Sequence, residues 1–88
     1  MSSLVLQTPA QLPQHLKSLR KARKLTQIQV ARRLGIKQAR YAFIENHPET
    51  ISTQQLLDLL AVLDVEVLLK PRQTVVAKGH NAPSEEDW

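Results

Sequence analysis

The feature that most constrains the fold is Gly35, a single glycine between two stretches whose apolar residues repeat at helical spacing. Before it, Thr26 and Gln29 have the spacing of a capping box, which predicts a helix start. A glycine directly after a helix supplies the left-handed conformation for a sharp turn. A following helix is predicted over residues 36–46, and Ala31 is the small residue that two crossing helices need where they approach most closely. The apolar contacts between the two helices are expected from Val30, Leu34, Ile36, Tyr41 and Ile44.

Two further helices are predicted on either side of this pair. Thr8 is followed by Pro9 and, three residues on, by Gln11, which is the pattern of a helix N-cap. Pro13, however, lacks an N–H group, so the first helix either starts nearer Leu12 or bends there. Ser52 caps a fourth helix whose apolar residues occupy most of its circumference. Such a helix is expected to pack against other parts of the protein on more than one side. The inward stripe of the first helix is Leu12, Leu16 and Leu19, and Ile28, Ala31 and Leu34 are expected to share the buried face of the second.

The chain after the fourth helix changes its hydrophobic period from helical to alternating. This predicts a short C-terminal β-strand with Val65, Val67 and Leu69 on one face. A lone strand is unstable, so pairing with the same strand of a second copy is expected, as an intersubunit ribbon in a homodimer. The predicted organisation is an N-terminal tail over residues 1–7, one domain over 8–71 and a flexible tail over 72–88.

Charge is distributed very unevenly along the 88 residues. Residues 1–44 hold nine Lys and Arg side chains and no acidic residue, a pattern that favours a polyanion such as nucleic acid as partner. The chain has no cysteine, which excludes disulfides and cysteine-based metal sites. It also has no apolar run long enough to span a membrane, so a cytoplasmic protein is expected.

These features together resemble the Xre/Cro-type helix-turn-helix family of phage repressors and their bacterial relatives. The resemblance covers about residues 16–65 and is carried by LRKARKLTQIQVARRLGIKQARYAFIEN and LLDLLAVLDV. It implies a mainly α, four- to five-helix lambda-repressor-like domain that binds a palindromic operator in double-stranded DNA as a dimer. It also implies that Arg20 and Glu45 pair, because they occupy the positions of a family ion pair.

The helix after Gly35 would then lie in the major groove, with its outward side chains toward the bases. Gln38 is expected to bond adenine through two hydrogen bonds, and Arg40 to bond guanine or a phosphate. Ala39 and Ala42 suit close approach or contact with a thymine methyl.

Three more polar residues are expected at the DNA backbone. Lys37 should reach a phosphate or a nearby base, and the resemblance assigns Gln27 and Asn46 to phosphates. Two residues depart from the family pattern. Tyr41 replaces an inward Ile or Val, so its hydroxyl must reach the rim or a partner. Phe43 is an outward aromatic that either stacks on sugars and methyl groups or packs against protein.

A closer resemblance is to the HipB antitoxins, the partners of HipA-type serine/threonine kinase toxins. It is carried by GIKQA at the turn, EN followed by a proline, the strand after the fourth helix and the acidic end with Trp88. It implies a homodimer that represses its own operon and binds a HipA-like kinase toxin away from the DNA face. Trp88 is expected to be exposed and is a candidate anchor for that partner.

Three other functions compete with this interpretation. The first is a stand-alone phage-type repressor without a toxin partner, and the second is a helix-turn-helix used only for protein contacts. An enzyme is the third and is disfavoured, because His15, His47 and His80 are scattered and no phosphate loop or carboxylate constellation is present. No cofactor is expected.

Overall fold

The computed structural model describes residues 3–72, and they form four helices around one apolar core. The predicted tail anchor Trp88 lies outside the described residues. The helices are α1 (Leu12–Ala22), α2 (Gln27–Leu34), α3 (Gln38–Asn46) and α4 (Thr53–Val62), with short 3₁₀ turns at Pro9–Gln11 and Pro48–Thr50.

The predicted helix starts are confirmed in α1, α2 and α4. Helix α1 begins at Leu12, with Pro13 in its first turn, where no helical N–H bond is lost. In α2 the Thr26 hydroxyl accepts from the Gln29 N–H (3.1 Å), and the Gln29 side chain accepts from the Thr26 N–H (2.9 Å). Ser52 and Gln55 make the same reciprocal pair at α4. These caps satisfy backbone donors that a helix start leaves without an intrahelical partner.

Helix α3 begins at Gln38, two residues later than predicted. The reason is the preceding turn, in which the Ile36 N–H donates to the Ala31 carbonyl (3.0 Å) and so still belongs to the end of α2. Lys37 is extended and serves as the N-cap of α3. Its carbonyl accepts the first helical bond, from the Tyr41 N–H (3.0 Å).

Three helices end in the same way, although only one ends with glycine. Lys24, Gly35 and Asp64 all have positive φ angles (57°, 74° and 62°). After each of them the next N–H donates back five residues, which is the Schellman motif. The residues that close these turns are the partly buried Leu25, Ile36 and Val65.

The core is aliphatic except for one aromatic ring, and every helix contributes to it. Leu57 of α4 is 47% exposed, so the cover predicted on a second side of α4 is missing there in the described single chain. The buried apolar residues are Leu16, Val30, Ala31, Tyr41, Ile44, Leu59, Leu60 and Leu63.

One predicted core position is wrong. Ile28 is 49% exposed, because Val30, Ala31 and Leu34 define the inward face of α2. At 100° per residue, Ile28 lies about a third of a turn away from the centre of that face.

Residues 65–72 lie outside any helix, and no strand forms within residues 3–72. A strand needs hydrogen bonds to a neighbouring strand, which this segment of one chain does not supply by itself. Val65 is partly buried against the core, whereas Val67 and Leu69 are 49% and 93% exposed. The intersubunit ribbon therefore stays a prediction.

Candidate DNA-binding surface

An ion pair between α1 and α3 lies directly behind the predicted DNA-reading helix. Arg20 Nε donates to Glu45 Oε2 (2.7 Å) and Arg20 Nη2 to Glu45 Oε1 (3.1 Å). The Glu45 side chain is fully buried and that of Arg20 is 12% exposed. Arg20 Nη1 also donates to the Leu25 carbonyl (3.0 Å), which ties the pair to the turn before α2. The pairing predicted from the family resemblance is present as a two-point contact.

The protonation of Glu45 follows from its partners. Burial alone would raise the pKa of Glu45, but hydrogen bonds from Arg20, Tyr41 and Gln27 outweigh burial and lower it. The hydrogen bond to Glu45 in turn raises the pKa of Arg20. Both groups are therefore charged at neutral pH.

Tyr41 directs its hydroxyl to the same carboxylate. The hydroxyl donates to Glu45 Oε2 at 2.7 Å, one turn along α3. Burial and this hydrogen bond raise the pKa of Tyr41 above its ordinary value. The sequence predicts that this hydroxyl reaches either the rim of the core or a hydrogen-bond partner, and the partner is Glu45. A tyrosine can thus replace the aliphatic residue of related sequences without an unsatisfied buried hydroxyl.

The carboxylate also connects the starts of α2 and α3. Gln27 Nε2 donates to Glu45 Oε1 (3.1 Å), and Gln38 Nε2 donates to Gln27 Oε1 (3.0 Å). A carboxamide has two N–H donors and one carbonyl acceptor. Gln38 can therefore bond Gln27 and still present one donor and one acceptor, the pair that adenine requires in the major groove. This Glu45–Gln27–Gln38 relay was not foreseen from the sequence.

The remaining predicted contacts occupy the exposed side of the same region. Lys37, Gln38, Ala39, Arg40, Phe43 and Asn46 are exposed, whereas Ala42 and Gln27 are half-buried. Asn46 uses one amide N–H on the Ala42 carbonyl (3.1 Å) of its own helix, which leaves its second N–H for a phosphate. The structure thus brings all eight predicted residues to α3 and the start of α2.

Aromatic stacking at the end of α3 is a second feature that sequence reasoning missed. The Phe43 ring lies 4.8 Å from the His47 ring, and the Arg40 guanidinium carbon lies 6.0 Å from the Phe43 ring centroid. The spacing of three and four residues along a helix is the signal that predicts such contacts.

The charge of this surface is positive. Glu45 is the one acidic residue of α1, α2 and α3, and it is buried against Arg20. Arg23 contacts Asp64 (3.0 Å) and the carbonyls that end α4. The other cations of these helices and their turns are Lys17, Lys21, Lys24, Arg32, Arg33, Lys37 and Arg40, and all but the partly buried Lys17 are exposed. Two exposed acids lie beside these helices, Asp64 against Arg23 and Glu49 against His47, but the exposed cations outnumber them, and such an excess of positive charge suits a phosphate backbone.

Residues 3–72 contain no group of three His, Asp or Glu side chains placed to hold a metal ion. None of the described helices is long and apolar enough to cross a membrane.

Comparison with known proteins places this geometry in a family. A family model described as Helix-turn-helix matches residues 16–69, which is more than half of the chain. No curated protein was found to match.

Several solved structures match this fold, and each match covers the whole of the other chain. A HipB-O1-O2 complex has a TM-score of 0.68 at 28% identity and covers 78% of this chain and 100% of its own. A HipA-HipB-O2-O3 complex and a HipB-O4 20mer complex each have a TM-score of 0.69 at 27% identity and cover 81% of this chain and 100% of their own. Family and neighbours are those of a DNA-binding regulator and not of an enzyme. The chain belongs to the Xre-type helix-turn-helix family of DNA-binding proteins.

Proposed function

We propose that this protein is a dimeric operator-binding repressor that acts as the antitoxin of a HipA-like serine/threonine kinase toxin. The observation that carries the DNA-binding part is the relay from buried Glu45 through Gln27 to exposed Gln38. A reading side chain that is oriented before binding loses less conformational entropy when it meets a base.

Each side chain of the surface has a proposed role. Gln38 reads an adenine, and Arg40 contacts a guanine or a phosphate. Ala39 and Ala42 allow close approach to the base edges. Lys37, Gln27 and Asn46 contact phosphates and fix the register of α3 on the duplex.

The homodimer is supported by apolar surface away from α3. Leu57 on α4 is 47% exposed, and Leu68 and Leu69 are 77% and 93% exposed. A second copy that pairs through Val65, Val67 and Leu69 would cover this surface and give the two-fold symmetry that a palindromic operator requires.

The antitoxin role is supported by the HipB neighbours, one of which is a complex with HipA and operator DNA. We propose that this chain likewise binds its own operator and a kinase of that type, and so acts in the cytoplasm. Trp88, at the acidic end of the chain, is the proposed anchor for the kinase.

The test is purification of the tagged full chain from its native host under low and high salt. A co-purifying kinase-like protein supports the antitoxin role, and its absence with intact operator binding supports a stand-alone repressor.

Footprinting on the upstream DNA should show a palindrome with half-sites one helical turn apart or a multiple of it. Removal of residues 85–88 should weaken kinase binding and leave the footprint unchanged. A footprint without symmetry would contradict the dimeric repressor.

A further inference from the structure

Phe43 is a large aromatic ring on the side of α3 that faces away from the core. The inward positions of this helix are filled by Tyr41 and Ile44, whereas Phe43 is 47% exposed. Ala39, one turn earlier, is also exposed and carries only a methyl group. The ring therefore projects beside a stretch of α3 where the backbone can approach another surface closely.

Two neighbours on α3 and its C-cap restrict this ring. His47, one turn later, packs its ring against Phe43 with centroids 4.8 Å apart and planes tilted by 35°. Arg40, one turn earlier, holds its guanidinium carbon 6.0 Å from the ring centroid, at the limit of a cation–π contact. The ring is thus flanked from both directions along the helix and is oriented before any partner binds.

The surroundings favour DNA over protein as the surface that covers this ring. Phe43 lies one turn after the cation Arg40 and on the same helix face as Ala39. An apolar protein contact at this place would have to desolvate the guanidinium that packs over the ring. The major groove of DNA instead offers a phosphate to this guanidinium and the C5 methyl group of thymine to the ring.

We infer that Phe43 is a specificity-determining residue that packs on a thymine methyl group in each half-site. His47 and Arg40 act as positioning residues for its ring. This inference rests on the proposed operator binding and adds to it a base preference that hydrogen bonding by Gln38 does not supply.

The experiment replaces each thymine of a bound duplex by uracil, which removes only the methyl group. A duplex is first selected from a random library with the full chain, and dissociation constants are measured at fixed salt. One thymine per half-site should be sensitive, with about fourfold weaker binding per methyl group removed.

Phe43→Ala serves as the matched variant, because an exposed side chain can be shortened without a hole in the core. It should bind the thymine and uracil duplexes equally at the sensitive position. Ala39→Gly should keep the thymine preference there, which separates the ring from the other methyl-contact candidates. Urea unfolding checks that both variants fold.

Two results would overturn the inference. Wild-type protein that binds every uracil duplex as tightly as the thymine duplex would exclude methyl recognition. A Phe43→Ala variant with undiminished preference would assign the methyl contact to another residue. Failure of the proposed operator binding is recognised separately, as the absence of any selected duplex, and it would remove both proposals.

Discussion

The guanidinium of Arg20 binds the carboxylate of Glu45 at two points, although 25 residues separate them in the chain. The contact locks α1 against α3, and the same carboxylate orients Gln27 and thereby Gln38. Stability and the proposed DNA reading by Gln38 are therefore both expected to depend on one buried carboxylate.

Glu45→Gln should strongly destabilise the fold, because it leaves the guanidinium of Arg20 buried without its counter-charge. Loss of one partner of a buried pair costs about 3–5 kcal/mol, a large part of the total stability of a small domain. Urea unfolding measures the effect. The double variant with Arg20→Met should cost less than the sum of the two single variants. Strictly additive costs would contradict a direct coupling.

Acid should unfold the protein through the same residue. The folded-state pKa of Glu45 is lowered, so its contribution to stability is complete above the ordinary glutamate pKa of about 4.3 and is lost as the pH falls through the folded value. The free energy of unfolding should fall from about pH 5 downward. Glu45→Gln should show a weaker pH dependence in that window, and an identical slope would contradict the assignment.

Lys24→Gly should stabilise the protein, because Lys24 has a left-handed backbone (φ 57°) at the end of α1. That conformation costs an L-residue about 1–2 kcal/mol, and glycine avoids this cost. Glycine also makes the unfolded chain more flexible, which offsets part of the gain in stability. A net gain of about 0.5–1 kcal/mol is expected in thermal or urea unfolding. Lys21→Gly, inside α1, is the matched control and should cost about 1 kcal/mol. Equal losses in both variants would show that the positive φ carries no strain.

The sequence predicts the starts and ends of the helices to different extents. Gly35 signals its own turn, and the Thr26 and Ser52 caps depend on residues three positions apart, so local patterns are sufficient. Lys24 and Asp64 end their helices with positive φ because partly buried Leu25 and Val65 dock against the core, which is a tertiary effect without a local signature.

The candidate site shows the same division. A helical wheel places Ala39 and Phe43 outward, because that depends only on periodicity. The link from Gln27 to Glu45 spans 18 residues and depends on the crossing of α2 and α3, so no spacing rule predicts it. The partner of Val67 and Leu69 would be another molecule, which a single chain does not contain.

Gln27→Ala should weaken the recognition of a base by Gln38, although Gln38, the side chain proposed to contact that base, is kept. The Gln38 side chain would lose the acceptor that orients it (3.0 Å), and its preference among bases should relax by about fivefold. Competition binding with duplexes altered at the Gln38 base pair measures this. Gln54→Ala on α4, which removes a bond to Asp58, is the control and should leave the preference unchanged. Full discrimination in Gln27→Ala would show that the relay is not needed for reading.

The most direct test of the central claim is the salt dependence of duplex DNA binding by the full chain. A dimer that presents this basic surface to 6–10 phosphates should lose about 10³–10⁵ in affinity between 50 and 200 mM salt, with a linear plot of log K against log salt. Gln38→Ala should keep that slope and lose sequence preference. Absence of duplex binding, or binding that is indifferent to salt, would contradict the account.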